Sequence, residues 1–287
     1  MLTITTLCWG ANAIFGRLAV GEVSPMVLVM FRWAGVVLLI GLFARTTIHR
    51  NWPLLRRHLL FMAALGTLGF TGFNALFYVA AHSTTAVNIG IIQGAIPVFV
   101  LIGMFIIHRI RVTLLQAIGV TLTLLGVVIV GTGGHLDRLG SLTLNPGDLM
   151  MLLAGLCYAI YAIGLRHRPA VPALAMFAVM AAAAFVTSLP LVAVEGVLGH
   201  LQWPTPTGWL IISAVIVLPS FLAQIFFINS VEIIGPGRAG VFINLVPVFA
   251  SIFAVTFLSE PFHLFHAVAL ALVLGGIGLS EKGKVAG

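Results

Sequence analysis

The stretch that decides the fold reads Gly90-Ile91-Ile92-Gln93-Gly94-Ala95-Ile96-Pro97-Val98-Phe99. A proline sits inside a long apolar run, with small residues beside it and a lone amide four residues earlier. The pattern returns as Gly240-Val241-Phe242-Ile243-Asn244-Leu245-Val246-Pro247-Val248-Phe249, where the second proline follows the first by 150 residues. Two broken apolar helices, one in each half, indicate a duplicated membrane protein whose working site lies between the halves.

The composition excludes a soluble fold. Hydrophobic residues make up 61% of the 287 residues and charged residues 7%, whereas about a quarter of a soluble domain is charged. The exterior must therefore face lipid, and the absence of ten-residue alternation favours helices over a barrel. The net charge is +7, and the basic residues lie in short gaps between apolar runs. This placement indicates membrane topology and not nucleic-acid binding. Cys8 and Cys157 lie in apolar runs without metal-ligand spacing, so we expect no metal and no cofactor.

Ten apolar runs reach the length of about 20 residues that a span needs. They cover residues 2–20, 24–44, 58–79, 85–107, 113–132, 147–165, 171–194, 208–228, 238–258 and 263–280. With the N-terminus inside, eleven of the 14 lysines and arginines fall in inner connections. These eleven are Arg45, Arg50, Arg56, Arg57, Arg109, Arg111, Arg166, Arg168, Arg238, Lys282 and Lys284. The bias predicts that both termini are cytoplasmic and that the number of spans is even.

Further matches at offsets of 149 and 150 residues support an internal repeat. Leu7–Ile14 resembles Leu156–Ile163, and Leu114–Ala117 resembles Leu264–Ala267. Each copy holds five predicted spans, and because five is odd, the second copy must enter the bilayer from the opposite side. The sequence thus predicts an all-α membrane protein of ten transmembrane helices in two inverted five-helix repeats. The predicted units are a first repeat at 1–132, an external linker at 133–146 and a second repeat at 147–287.

The acidic residues limit the mechanism. All seven lie at or beyond helix ends, so no carboxylate is available in mid-membrane to exchange a proton for a cationic substrate. A neutral site favours a facilitator driven by the substrate gradient, with proton antiport as the alternative. No nucleotide-binding loop and no catalytic constellation occurs, so we do not expect an enzyme.

Neutral polar and aromatic residues are the candidates for the site. An amide that faces lipid is costly, so each must face either a neighbouring helix or a cavity. Gln93 and Asn244 favour a cavity, because each precedes a repeated proline by about one turn and proline frees a backbone carbonyl. Tyr158 and Tyr161 are three residues apart and share a helix face. The predicted cavity residues are Trp9, Asn12, Asn74, Tyr78, Gln93, Pro97, Tyr158, Tyr161, Gln224, Asn244 and Pro247.

Two arginines lie inside spans. Arg32 is about 10 Å into the second span at 1.5 Å per residue, where an isolated charge needs a partner. It contacts either a substrate carboxylate or the carbonyls of a neighbouring helix, and the second reading is favoured. Arg17 is predicted to snorkel to the interface or to pair with nearby Glu22. Pro219 is interpreted as a plain kink.

Several motifs together resemble the EamA family of the drug/metabolite transporter superfamily, over nearly the whole chain. They are Trp9-Gly10 with Asn12, Phe31-Arg32, Gly147-Asp148-Leu149, and Pro247-Val248-Phe249 with Glu260-Pro261. The first half departs from the family pattern, because His108-Arg109-Ile110-Arg111 stands where the family often carries a glutamate.

The resemblance implies an inner-membrane carrier of small metabolites, often an amino-acid exporter. Within the family the chain looks most similar to aromatic amino-acid exporters of the YddG type. We therefore expect a bacterial inner-membrane facilitator that exports amino acids, aromatic ones in particular, by alternating access. The alternatives are a proton-coupled multidrug or metabolite antiporter, a channel, and a membrane-embedded enzyme or scaffold. The expected partners are the bilayer and an amino acid-like substrate but no nucleic acid, with the chain a monomer or weak homodimer.

Overall fold

The computed structural model describes residues 1–109, 112–135, 145–234 and 242–283. These ranges are helical, and no β-strand occurs within them. The helices are α1 (Leu2–Leu18), α2 (Pro25–Phe43), α3 (Arg45–Leu55), α4 (Leu59–Gly66), α5 (Phe73–Ala80), α6 (Ala86–Gln93), α7 (Ile96–His108), α8 (Leu114–Gly131), α9 (Pro146–Gly164), α10 (Ala173–Val197), α11 (Pro206–Val215), α12 (Ala223–Ile234), α13 (Val246–Leu258) and α14 (Leu264–Lys282). Residues 110 and 111, residues 136–144 of the predicted linker, and Arg238 and Lys284 lie outside the described residues.

Eight continuous helical runs in the described ranges are long and apolar enough to cross a membrane. They are Pro25–Phe43, Arg45–Ala80, Ala86–His108, Leu114–Gly131, Pro146–His167, Ala173–Val197, Pro206–Val231 and Leu264–Lys282. The first and ninth predicted spans appear as shorter helices, Leu2–Leu18 with 17 residues and Val246–Leu258 with 13. The chain is therefore an all-helical, multi-pass membrane protein, and the count of ten spans stays a prediction.

Helix breaks occur at both repeated prolines. The helix α6 ends at Gln93, and α7 begins at Ile96 with Pro97 in its first turn. In the second half, α13 begins at Val246 with Pro247 in its first turn. Proline suits this position, because the first turn of a helix leaves its N–H groups without intrahelical acceptors. A Cβ added at Gly94 would lie 3.0 Å from Cγ of Pro247, so the two breaks face each other in the bundle.

Other local features recur at offsets of 149 or 150 residues. The helices α7 and α13 both end on a left-handed residue, Arg109 at φ 50° and Ser259 at φ 53°. Capping boxes open α8, from Thr113, and α14, from His263. A π-helical segment interrupts the corresponding helix of each half, at Thr67–Gly72 and Ile216–Leu222. The matched features support a duplication, while the inverted relation of the halves stays a prediction.

The second π-helical segment contains a proline, which lacks a backbone N–H donor. Pro219 has no N–H to bond the carbonyl of Val215, four residues earlier, and the Ser220 hydroxyl donates to that carbonyl at 2.6 Å instead.

Small residues bring the two halves of the chain together. The helix α8 packs on α14 where a Cβ at Gly119 would lie 2.3 Å from the Gly276 oxygen. The core therefore includes close contacts between the two halves of the chain.

The two ends of the bundle carry different contacts. At the end that we name the Glu260 end, the Glu260 carboxylate lies 3.7 Å from Nε of Arg17 and accepts the backbone N–H groups of Ala86 and Val87. The prediction that Arg17 pairs with Glu22 is wrong, because α1 places Arg17 beside Glu260 while Glu22 accepts a hydrogen bond from Thr205. The tertiary fold brings in a partner that sequence proximity does not indicate.

The opposite end, which we name the Arg166 end, carries contacts of other kinds. The rings of His108 and His167 stack at 5.5 Å. The Thr113 hydroxyl donates to the Gly283 carbonyl at 3.0 Å, and Nη1 of Arg166 lies 3.6 Å from the sulfur of Met104. None of these three contacts involves a carboxylate, unlike the contacts of Glu260 at the other end.

Candidate functional site

A cavity of about 580 Å³ lies beside the two facing helix breaks. Its wall includes Arg32 and ten of the eleven predicted cavity residues, namely Trp9, Asn12, Asn74, Gln93, Pro97, Tyr158, Tyr161, Gln224, Asn244 and Pro247. Tyr78 is the exception: it does not line the cavity and is 2% exposed behind the wall. Residues from both halves of the chain therefore build one site.

Arg32 is held in the wall by side chains. Its Nη1 donates to Oδ1 of Asn12 at 3.1 Å and to the hydroxyl of Tyr78 at 2.7 Å. The Tyr78 hydroxyl in turn donates to Oδ1 of Asn12 at 3.1 Å. We expected Arg32 to bond the carbonyls of a neighbouring helix. This is wrong for its described hydrogen bonds, because their acceptors are the Asn12 amide on α1 and the Tyr78 phenol on α5. Tyr78 thus positions the guanidinium instead of lining the cavity.

Aromatic rings form a second part of the wall. The rings of Tyr158 and Tyr161 meet edge to face at 5.2 Å, and Phe73 contacts Tyr158 at 5.4 Å. The ring centroid of Phe70 lies 5.5 Å from that of Tyr161. The Phe70 ring also stacks on Trp33, with 4.5 Å between the ring centroids and an interplanar angle of 8°. Both predicted inward tyrosines therefore face the cavity, within a continuous surface of ring faces and edges.

The second-half wall includes a residue that sequence reasoning read as a plain kink. Pro219 lines the cavity, and its carbonyl accepts the indole N–H of Trp9 at 3.0 Å. A proline in the middle of an apolar run was the available signal, because such a residue disturbs the backbone bonds around it. Trp33 was also missed, although it directly follows Arg32 in the sequence.

The charges of the wall differ in part from the prediction of a neutral site. Glu281 lines the cavity at the Arg166 end, together with Gln116 and Ser280. Asp148, Glu195 and Glu260 do not line it, and each accepts hydrogen bonds at the Glu260 end. The middle of the wall is therefore neutral apart from Arg32, and a single acid stands toward one end.

The cavity is displaced toward one end of the bundle. Its lining extends from the helix breaks to Met104, Leu165 and Glu281 at the Arg166 end. No residue of the described connections 19–24, 81–85 and 198–205, at the Glu260 end, lines it. The cavity therefore lies nearer to the Arg166 end than to the Glu260 end.

The model of the EamA-like transporter family matches residues 1–132 and 145–280. The chain belongs to this family. The EamA match covers most of the chain in two parts, whose boundaries fall near the predicted repeats.

Relatives of this EamA-like protein are also transporters by name. It is 28% identical over 293 aligned residues to the uncharacterized transporter YyaM of Bacillus subtilis, covering 99% of this chain and 93% of the relative. It is 26% identical to the uncharacterized transporter YetK of the same organism, covering 93% and 82%. It is 24% identical to the uncharacterized inner membrane transporter YedA of Escherichia coli, covering 97% and 88%. The protein is thus a membrane transporter of small molecules.

A solved structure shares the fold. A chain described as "Crystal structure of protein" superposes with a TM-score of 0.62, covering 97% of this chain and 94% of that chain at 20% sequence identity. At this identity the likeness concerns the fold alone. It places the EamA-like helical arrangement among those seen by experiment.

Proposed function

We propose that the protein exports amino acids, aromatic ones in particular, across the bacterial inner membrane as a facilitator. The observation that carries this proposal is the cavity between the facing helix breaks, whose wall combines aromatic rings, amides and the single buried Arg32. A volume of about 580 Å³ lies within the usual range of small-molecule sites, roughly 300–1,000 Å³. Rings suit an apolar side chain, and Arg32 suits a carboxylate.

The unequal ends support transport by alternating access. The cavity extends to the Arg166 end, while Glu260 bonds three groups at the other end. Rocking of helices around the breaks near Pro97 and Pro247 would reverse this exposure. The basic connections favour a cytoplasmic Arg166 end with both termini on the same side, so the described state would be open to the cytoplasm.

Proton-coupled antiport is the second candidate, and Glu281 is the observation that favours it. A carboxylate on a cavity wall can bind either a proton or a cationic group of the substrate. Glu281 lies at the end of the cavity and not beside the helix breaks, which makes it a weaker basis than the central wall. Facilitated transport is therefore placed first.

Uptake into liposomes tests the proposal. Purified protein is reconstituted, and entry of a panel of labelled amino acids is measured with and without a pH gradient, against protein-free liposomes. We expect saturable transport of aromatic amino acids that does not respond to the gradient. Dye counterflow driven by the gradient without any amino-acid transport would contradict the proposal, and conduction without saturation would indicate a channel.

Two sets of variants test whether transport uses the cavity and which mechanism drives it. Gln93→Ala and Asn244→Ala are expected to lower transport at least several-fold, whereas Asn51→Ala, outside the cavity, should behave like the parent. Glu281→Gln distinguishes the two mechanisms. If the protein is a facilitator, this variant should transport like the parent. If it is a proton antiporter, the variant should lose the response of transport to the pH gradient.

A further inference from the structure

Unpaired polar atoms are concentrated in the cavity wall. Five buried side-chain nitrogen or oxygen atoms in the described residues have no hydrogen-bond partner. Three of them belong to residues that line the cavity, namely Nε of Arg32, Nε1 of Trp33 and Oδ1 of Asn74. A buried polar atom without a partner costs about 1–3 kcal/mol. These three atoms have almost no accessible surface, so a molecule in the cavity would satisfy them once their side chains turn toward it.

The three atoms differ in chemical character. The Arg32 and Trp33 nitrogens are donors, since neither side chain can accept a hydrogen bond. Asn74 presents an acceptor, because its Nδ2 already donates to the Phe70 carbonyl at 2.6 Å and the reversed amide would set two oxygens against each other. The wall therefore offers two free donors, one of them cationic, and one free neutral acceptor.

The donors and the acceptor are connected through neighbouring residues. The Arg32 guanidinium carbon lies 5.4 Å from the centre of the Trp33 ring, and that ring stacks on Phe70, whose carbonyl holds Asn74. Arg32 also bonds Tyr78, which is four residues after Asn74 on the same helix. Residues at this spacing are neighbours on one helix face, about 5–6 Å apart. Arg32 therefore bonds a residue that lies one helical turn from Asn74.

We infer that this part of the cavity is a two-pole site for an α-amino acid, in which Arg32 and Trp33 bind the carboxylate and Asn74 binds the ammonium. The inference rests on the proposed amino-acid transport and adds the residues that select the substrate. A monocarboxylate would leave the Asn74 oxygen unpaired. An amine would bring a positive charge toward Arg32 with nothing to neutralise it. Of these three kinds of compound, the zwitterion alone satisfies both poles.

Competition between three related compounds tests the site. Binding of labelled L-phenylalanine to the purified protein is competed with 3-phenylpropionate, which lacks the ammonium, and with 2-phenylethylamine, which lacks the carboxylate. We expect each analogue to bind at least ~10-fold more weakly than L-phenylalanine, because a missing pole leaves a buried group unpaired. Equal binding of L-phenylalanine and either analogue by the parent would overturn the inference.

Variants assign each pole. Asn74→Leu should weaken L-phenylalanine ~10-fold and leave 3-phenylpropionate unchanged, so that the preference between them is lost. Trp33→Phe keeps the ring and removes the N–H; it should weaken both carboxylates several-fold and spare 2-phenylethylamine. Arg32→Gln should abolish the preference for L-phenylalanine over 2-phenylethylamine. Each result is the ratio of the affinities of two ligands measured on one preparation. A variant that folds in lower yield therefore still gives a valid ratio.

Asn51→Leu is the matched control. Its Nδ2 donates to the carbonyl four residues earlier, at 2.8 Å to Thr47, as Asn74 does to Phe70, but Asn51 does not line the cavity. It should keep the parent's preferences, and parental preferences in Asn74→Leu as well would overturn the inference. If the liposomes transport a solute that lacks one pole and none of the three aromatic compounds binds, the two-pole site fails while transport stands. If no solute is transported, the proposed function itself fails.

Discussion

The Glu260 end and the Arg166 end share backbone geometry but differ in the side chains that close them. The helices α7 and α13 finish on left-handed residues with nearly identical angles, Arg109 at φ 50°, ψ 31° and Ser259 at φ 53°, ψ 31°. After Ser259 comes Glu260, whose carboxylate binds the first N–H groups of α6. A carboxylate is favourable there, because the start of a helix carries unpaired donors and a partial positive charge.

The corresponding position of the first half holds no acid. Ile110 precedes Glu260 by 150 residues, and it lies outside the described residues. Arg166 follows Arg17 by 149 residues, and it contacts a methionine sulfur where Arg17 contacts a carboxylate. A duplicated backbone therefore carries different side-chain contacts at its two ends.

Replacing the closing acid should have the largest effect. Glu260→Gln removes the charge that pairs with Arg17 and leaves one carbonyl oxygen for two N–H donors. Hydrogen bonds to charged groups contribute about 1.5–3 kcal/mol each, so we expect a loss of roughly 2–3 kcal/mol in the free energy of unfolding. The melting temperature in detergent measures it. Glu22→Gln is the control, because Glu22 accepts a Thr205 hydroxyl at the same end and should cost less; equal losses would mean that Glu260 has no special role.

The two repeat-related arginines should differ by a smaller amount. Arg17→Gln loses the contact with Glu260 and the bond to the Ala81 carbonyl, whereas Arg166→Gln loses a weak contact with sulfur. The Arg17 side chain is 33% exposed, and solvent screening limits such a pair to about 0.5–1 kcal/mol. We expect the melting temperature to fall more for Arg17→Gln than for Arg166→Gln. The reverse order would show that the Arg166 end is the more firmly closed.

The sequence predicts local features of this fold well. The breaks near Pro97 and Pro247 follow from the chemistry of proline, and the structure places both residues on the cavity wall. Gln93 and Asn244 also lie on the wall, since an amide in an apolar span must avoid lipid. These inferences need only the residue type and its position relative to a span.

Contacts between distant residues could not be predicted in the same way. Arg17 lies beside Glu260 and not Glu22, because closing the bundle brings the end of α1 to the residue after α13. Tyr78 lies behind the wall, and Glu281 lies on it. Each outcome depends on how a helix is rotated and tilted against its neighbours, and spacing along one helix does not determine that.

A pH response should give the smallest difference between the ends. Burial lowers the pKa of the His82 imidazole, next to the Glu260 end, and the Arg17 guanidinium lowers it further, while Glu195 acts in the opposite direction. The folded state then binds this proton less readily than the unfolded state, whose pKa is near 6.5. The unfolded state therefore holds more protons in the window below that value, so stability falls as the pH drops through it.

We expect a melting temperature measured at pH 5.5 and 7.5 to change by roughly a degree less in His82→Gln than in the parent, since the imidazole is only partly buried and solvent screens it. His167→Gln is the control at the Arg166 end, where His167 stacks on His108, and it should keep the parental change. Because both variants lose one imidazole, the overall histidine count cannot explain a difference between them. If only His167→Gln altered the response, the acid-sensitive contacts would lie at the Arg166 end, and the closure assigned to the Glu260 end would not account for the pH dependence.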